Sequence, residues 1–436
     1  MSKDSDTISQ AIRIPRSEHS ISRADISSGA LNVLYALKKA GFEAYLVGGG
    51  VRDLLLGREP KDFDVVTDAE PDEIKRLFRR ARLIGRRFRL AHVRFGPEII
   101  EVATFRGAVE DPDEEDHVSV NGRIMRDNVY GTTAQEDARR RDFSVNCLYY
   151  DIRDFSVLDF AGGMADLEAG ILRIIGDPVR RYREDPVRML RAARFAAKLG
   201  FRLGDETSAA IPECVPMLAE IPAARLYEEV LKLFLGGAAV QSFELLNHYD
   251  LFKYLFTESA ERIEAEPLSP AAKLVLQALA NTDQRIHDEK PVTPAFLFAA
   301  LLWPAVHEDA IAHSSRGLTP VQAMDAAGME VLARQVSQVS LPRRFSLAAR
   351  EIWSLQPRLE QPRGKRAIQL LATPRFRAAY DFLLLRAEAG EDVGGRADWW
   401  TKFQEMDDPD RKAALAGTGS RPRRRRRRRR QAPANT

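Results

Sequence analysis

The sequence predicts an α+β protein, with a head built on a small mixed sheet followed by an all-helical neck and body. Three observations carry that expectation. Strand-like and helix-like segments alternate as far as Tyr150. Strand signals then fade from Pro178 onward, while helical periodicity continues to about residue 410. Finally, an early apolar strand runs into a turn at Gly48, Gly49 and Gly50, with a helix expected to start near Val51 and an Asp-x-Asp strand after it. With 436 residues, 44% of them hydrophobic and 30% charged, the chain is long enough for two or more domains with sizeable cores and has a globular composition.

Taken in order, residues 1–24 read as a disordered tail and 25–175 as the head. Residues 27–40 form an amphipathic helix with a serine available as N-cap, leading into a strand at 45–47. Residues 62–66 read as a second strand. Its period-two alternation sets Asp62 and Asp64 on one face and Phe63 and Val65 on the other. Helical periodicity returns at 72–80. Segments 89–95 and 98–105, separated by Gly96-Pro97, read as a hairpin, and the acidic stretch 111–116 as a mobile loop. A helix at 133–141 then leads into an apolar segment ending near Tyr150. Residues 176–240 are expected to form the neck, 241–410 the body and 411–436 a disordered Gly/Pro/Arg tail. Within the neck, Val187–Leu199 places Arg188, Arg191, Arg194 and Lys198 on one side of a helix, with Met189, Ala193, Ala196 and Ala197 on the other.

Composition narrows the function classes. Cys147 and Cys214 are too far apart in sequence, and too few, for a disulfide framework or zinc site. There is no apolar run long enough to cross a bilayer and no signal-peptide core, so the cytoplasm is the expected compartment. The net charge of +3 conceals Arg421 and the unbroken arginine run 423–430, without which the chain carries −6. Such a run is solvated, self-repelling and attracted to polyanions, which makes RNA an expected partner through counterion release.

The chemistry is concentrated early in the chain. Two carboxylates on one strand face repel each other unless a cation or a proton intervenes, and oxygen ligands on a rigid strand suit Mg²⁺. A bare Asp-x-Asp is commonly an ordinary surface strand. Here it follows a glycine turn at which bare backbone N–H groups can approach a phosphate, with Arg52 beside them. A phosphate cradle beside metal-holding acids points to phosphoryl transfer. In a two-metal arrangement one ion activates an attacking hydroxyl and the other stabilises the pyrophosphate leaving group. Glu101 interrupts the apolar run 99–103, and a buried acid is costly unless it is paired or bound to metal. It is therefore the candidate third catalytic carboxylate, with a water-facing edge residue as the alternative. Arg141 and Asp142 offer a donor and an acceptor for a sugar. Asp185 and Arg188 offer an acceptor beside a donor, which matches the edge of adenine and equally that of cytosine, so pocket shape must separate the two.

Together these motifs resemble the class II nucleotidyltransferases of the DNA polymerase β superfamily, the group that holds bacterial poly(A) polymerases and tRNA CCA-adding enzymes. The resemblance covers roughly residues 30–260. It is carried by Gly48-Gly49-Gly50-Val51-Arg52-Asp53 with Asp62-Phe63-Asp64, by Arg140-Arg141-Asp142-Phe143, by Gly162-Gly163 with Asp166-Leu167, and by Arg183-Glu184-Asp185-Pro186-Val187-Arg188-Met189-Leu190-Arg191-Ala192. It implies a polymerase β-like nucleotidyltransferase head. Asp62 and Asp64 would be ligands of two Mg²⁺ ions, with Mn²⁺ as a substitute. Arg141 and Asp142 would contact sugar and phosphate, and Asp185 and Arg188 would read the base. Gly48, Gly49, Arg52, Glu184 and Arg191 complete the expected substrate contacts. Segment 83–93 and the arginine tail are similar to features of the bacterial poly(A) polymerases, whereas His287-Asp288 reads as a loop pair. The expected activity is template-independent addition of AMP from ATP to RNA 3′ ends, with release of pyrophosphate. It would be performed by a monomer that promotes RNA turnover with RNA-decay proteins as partners. The alternatives are CCA addition to tRNA and a non-catalytic RNA-binding adaptor.

Overall fold

The computed structural model describes residues 11–85, 89–107, 130–362 and 364–416. The acidic loop at 111–116, residues 86–88 of the 83–93 segment and the arginine run of the tail lie outside the described residues. The chain forms two compact units, Met1–Leu255 and Phe256–Thr436.

The first unit is organised by an eight-stranded sheet. Its strands are β1 (Ile12–Ile14), β2 (Ala44–Val47), β3 (Asp64–Thr67), β4 (Arg82–Ile84), β5 (Leu90–Phe95), β6 (Glu98–Thr104), β7 (Leu148–Asp151) and β8 (Val157–Asp159). The spatial order is β1-β8-β7-β2-β3-β6-β5-β4. Among the described strands of this sheet only β3 and β6 pair in parallel, so the sheet is mixed as expected. The central β2 is buried along its whole length, and the helix Ser28–Lys39 buries Val33, Leu34 and Leu37 beside it. Ser27 caps that helix by accepting the Ala30 N–H at 3.1 Å, an interaction worth about 1 kcal/mol. The hairpin β5–β6 forms where the sequence placed it, turning at Gly96 with φ 59°.

Several boundaries differ from expectation. Residues 11–24 are not a disordered tail, because β1 adds to the sheet edge against β8 and Arg13 bonds Asp154 and the Ser156 hydroxyl. An edge strand needs only backbone partners, which a polar sequence supplies equally well. β3 begins at Asp64 and not at residue 62, since its partner β2 ends at Val47, opposite Asp64, where the glycine turn starts. The helix expected at 72–80 is Pro71–Leu77, opened by a capping box between Glu70 and Glu73. β9 (Ile171–Leu172) and β10 (Arg202–Leu203) pair in parallel, so one short strand lies beyond Pro178. The first unit also extends past residue 240. Phe243 and Leu246 of one helix and Phe252 and Leu255 of the next are buried within it, with the Phe243 and Phe252 rings 4.8 Å apart. Finally, the helix Asp408–Ala416 takes in residues 411–416, which the sequence assigned to the tail.

The Gly162-Gly163 motif has an architectural origin. A Cβ at Gly163 would run into the Ser144 carbonyl, and the buried Asp159 carboxylate accepts the N–H groups of Ala161, Gly163 and Met164 at 2.9–3.0 Å. Asp166 ties the same turn to the Ser144 hydroxyl at 2.5 Å.

The second unit is helical. Trp303, Trp353, Trp400 and Phe298 are fully buried, and the Trp353 and Trp400 indoles donate to the carbonyls of Ala299 and Leu359. Among the described residues no single helix is long and apolar enough to cross a membrane. Pro294–Leu301 and Trp303–Ser315 pass that test only as a pair bent by 58°. His287 is the last residue of the helix Pro270–His287 and so is not in a loop, while Asp288 just beyond it accepts from Lys290 and Gln284.

A buried polar knot crosses this core. Arg386, 4% exposed, lies over the Trp303 ring and bonds Glu391, Glu360 and Gln356. Burial opposes ionisation of Glu391, but His307 and Arg386 outweigh it and hold its carboxyl down at about 2. A depressed carboxyl stabilises the fold fully above its unfolded pKa of about 4.3, and that contribution is lost as pH falls toward 2. Replacing Glu391 by Gln should therefore lower the melting temperature at pH 7, and the gap to wild type should close between pH 5 and pH 2. Melting curves over that range test it, and a pH-independent gap would contradict it.

Candidate active site

The sheet register collects the site. One row of paired residues runs Tyr149, Val47, Asp64, Glu101, His92 across β7, β2, β3, β6 and β5. Members of a row share a face, so Tyr149, Asp64, Glu101 and His92 stand on the same side. At the end of β2 the chain turns through Gly48, whose φ of 76° favours glycine. A Cβ there would lie 3.6 Å from Arg141 Nη1 and 3.8 Å from Asp64 Oδ2. Three sequence motifs, at 48–53, 62–64 and 140–143, thus meet at one point. A Cβ at Gly50 would lie 3.3 Å from the Asp62 carbonyl oxygen.

Asp64 is largely buried. Burial pushes its carboxyl up to about 6; Glu101 and Asp62 add to that, and Arg141 opposes it. Asp62 is exposed in the loop before β3. Among the described residues neither carboxylate has a hydrogen-bond or ion-pair partner. Acceptor groups without donors, crowded by like charge, suit a divalent cation. Among the described residues no group of three or more His, Cys, Asp or Glu is arranged to hold a metal. Mg²⁺ is commonly held by one or two carboxylates plus phosphate oxygens and water, and the Asp62 and Asp64 pair fits that pattern. Glu101 is not the buried acid the sequence suggested. It is 47% exposed and faces His92 Nε2 at 3.3 Å, because the strand face it shares with Asp64 opens to solvent at β6.

Arg141 is fixed by residues that sequence reasoning missed. Its Nε donates to Asp137 at 3.1 Å and to the Tyr149 hydroxyl at 2.8 Å, and that hydroxyl donates in turn to Asp137 at 2.8 Å. This leaves Nη1 toward the glycine turn. Arg52 is a correction: it is 2% exposed, and its donors go to Asp53 and to Asn146 at 2.6 Å, so it braces the turn from within and does not reach outward.

The neck helix brings its basic face onto the head. Arg191 bonds Asp142 through Nε at 3.0 Å and through Nη2. Burial raises the Asp142 carboxyl, but the Arg191 guanidinium outweighs it and holds the group below the usual carboxylate range. Asp142 also accepts the Phe143 N–H at 2.9 Å. Arg181 spans the two motifs, donating to the carbonyls of Arg140 and Arg141 and to Glu184; burial, then Arg188, pulls it down to about 10. Asp185 and Arg188 are each engaged by the protein. Both oxygens of Asp185 accept from Arg225 Nη2 at 2.7 Å, while Arg188 Nη1 donates to the Arg181 carbonyl and to Glu184. Arg225, 40 residues beyond Asp185, gave no local signal; it becomes a neighbour only when the helix Ala223–Phe234 packs on Val187–Leu199.

Known proteins share this organisation. Family models described as the poly A polymerase head domain, the probable RNA and SrmB-binding site of polymerase A, and the polymerase A arginine-rich C-terminus match residues 44–173, 200–263 and 316–432. The chain is 51% identical to poly(A) polymerase I of Escherichia coli O6:H1 over 413 residues, covering 93% of this chain and 88% of that one. It is 46% identical to poly(A) polymerase I of Haemophilus influenzae, covering 90% and 87%. Among solved structures, the Thermotoga maritima CCA-adding enzyme complexed with tRNA matches with a TM-score of 0.59 at 20% identity, covering 91% of this chain and 87% of that one, a likeness of fold. From the carboxylates at the glycine turn to the match along nearly the whole chain, these findings agree: the protein belongs to the poly(A) polymerase family of nucleotidyltransferases.

Proposed function

We propose that the chain is a template-independent polymerase that adds AMP from ATP to RNA 3′ ends and releases pyrophosphate. The observation that carries this reading is the meeting of Asp64, Arg141 and the Gly48 turn at one point. Asp62 and Asp64 would hold two Mg²⁺ ions, or Mn²⁺ in their place, with Glu101 bordering them. Bound there, the ions would supply activation of the attacking 3′ hydroxyl and charge stabilisation on the leaving pyrophosphate.

The remaining residues bind and orient. Arg141, held by Asp137 and Tyr149, presents Nη1 to phosphate oxygens near Gly48 and Gly49. Asp142, fixed by Arg191, is an acceptor for a ribose hydroxyl. Asp185 and Arg188, steadied by Arg225 and Glu184, would read the base. Residues 25–175, 176–240 and 241–410 would serve as catalytic head, base-reading neck and RNA-binding body. A monomer acting in the cytoplasm beside RNA-decay proteins is consistent with this role.

The test is to incubate the protein with an oligoribonucleotide and each nucleoside triphosphate in turn. Long products with ATP alone are expected; limited C addition to a tRNA lacking its CCA end would favour the CCA-adding reading. Arg225 gives a sharper prediction. Removing charged hydrogen bonds of this kind costs about 1.5–3 kcal/mol, so Arg225→Ala should raise KM for ATP by about 10–100-fold and relax rejection of CTP, with Arg225→Lys recovering part of the loss. Unchanged selectivity in Arg225→Ala would remove Arg225 from base reading.

A further inference from the structure

A second charged feature lies in the unit Phe256–Thr436, which contains none of Asp62, Asp64 and Glu101. A cavity of about 570 Å³ opens where the helices Arg343–Glu360 and Lys365–Leu371 meet, within the range typical of ligand pockets. Pro357, Leu370 and Val321 supply apolar wall. Arg358, Arg366 and Gln369 supply polar wall, with Gln361 and Thr373 at the margin.

Arg262, Arg334, Arg375, Arg377, Arg386 and Arg411 all lie in ion pairs. Arg358 and Arg366, both exposed, have no acid partner among the described residues. Other arginines of this unit, Arg343 and Arg344 among them, also have no acid partner among the described residues, but Arg358 and Arg366 are the two that line this cavity. Residues 357–377 contain six basic residues against the single acid Glu360. An uncompensated pair of guanidiniums attracts an anion, and planar guanidinium is suited to phosphate oxygens. The amide of Gln369 adds both a donor and an acceptor, and the apolar wall offers a surface for a base.

We infer that this cavity is an RNA-backbone site, holding a phosphate and its nucleotide from a part of the strand upstream of the 3′ end being extended. The inference rests on the proposed polymerase activity and adds where the polymer is gripped. Arg358 and Arg366 hold phosphates, Gln369 meets a base edge, and the contact raises affinity for long RNA without touching the reacting atoms.

The test compares the full chain with the Arg358→Ala/Arg366→Ala double variant, using fluorescence anisotropy on 3′-blocked single-stranded RNAs and extension assays on unblocked ones. For long RNA the dissociation constant and KM should rise about tenfold. The log-log salt slope should fall by about 1.4, since each lost phosphate contact on a single strand removes about 0.7. The kcat and the KM for ATP should hold. Gln369→Ala should weaken long-RNA binding without changing the slope. Arg343→Ala/Arg344→Ala, two exposed cations at the far end of the same helix, should do neither. The inference is overturned if the pocket variant binds long RNA like wild type, if the Arg343/Arg344 variant loses as much, or if polyglutamate competes as well as single-stranded RNA. Melting curves for each variant separate these results from misfolding. A wild-type protein that extends no RNA would instead overturn the polymerase reading, and the blocked-RNA comparison would still be readable.

Discussion

Asp64→Asn should abolish RNA extension by at least about 10³-fold, and Asp62→Asn should do the same. Metal-assisted phosphoryl transfer draws several kcal/mol of transition-state stabilisation from the bound ions, and each 1.36 kcal/mol is a factor of about ten in rate. Both substitutions keep size and polarity while removing the charge that would hold a cation. For Asp64 they also relieve its crowding with Glu101 and Asp62, so Asp64→Asn should melt no lower than wild type. RNA affinity should be retained, and Mn²⁺ binding measured by electron paramagnetic resonance in the presence of ATP should be lost. Extension at more than a tenth of the wild-type rate in either variant would remove the metal role. If only Asp64 proves essential, a single buried carboxylate carries the function and exposed Asp62 is dispensable.

Arg191→Met should produce the largest loss of stability among site substitutions. It leaves the Asp142 carboxylate, 14% exposed, without the guanidinium that holds its charge. Removing one partner of a buried ion pair costs about 3 kcal/mol or more, because the remaining charge is left in a poor solvent. Asp142→Asn alone should cost less, and the double variant should recover much of the stability lost in Arg191→Met. A double-mutant cycle by denaturant melts measures this coupling. Activity should behave differently: the double variant stays slow, because a neutral amide and a thioether cannot supply the carboxylate charge and the cation expected at the sugar. Additive losses in the cycle would show that the two side chains act independently.

The legible part of the site was its local chemistry. Gly48, Asp62, Asp64, Arg141 and Asp142 lie in short motifs whose residue types suggest phosphate and metal binding, and Gly48, Asp64 and Arg141 do converge. The hairpin, the helix at Ser28–Lys39 and the helix at Val187–Leu199 followed from periodicity and capping. What the sequence misjudged was side-chain direction and reach. Arg52 belongs to the right motif but turns inward to Asn146, 94 residues away. The apolar neighbours of Glu101 suggest burial, with a water-facing residue as the alternative, and alternation sends it to the open face of β6. β1 was missed because a three-residue edge strand contributes little hydrophobic pattern.

By itself the sequence determined the order of the elements, the passage from a mixed sheet to helices, and the residue types at the glycine turn and its acids. These depend on properties carried within a few residues: backbone freedom at glycine, period-two or 3.6-residue burial, and the charge of each side chain. Only the tertiary structure decided which charges are spent inside the protein and which remain for a ligand. Arg225 on Asp185, Arg191 on Asp142 and Asp137 with Tyr149 on Arg141 are partnerships formed by strand register and helix packing. Ionic and hydrogen-bonded pairing depends on distance in space, which a linear sequence does not contain.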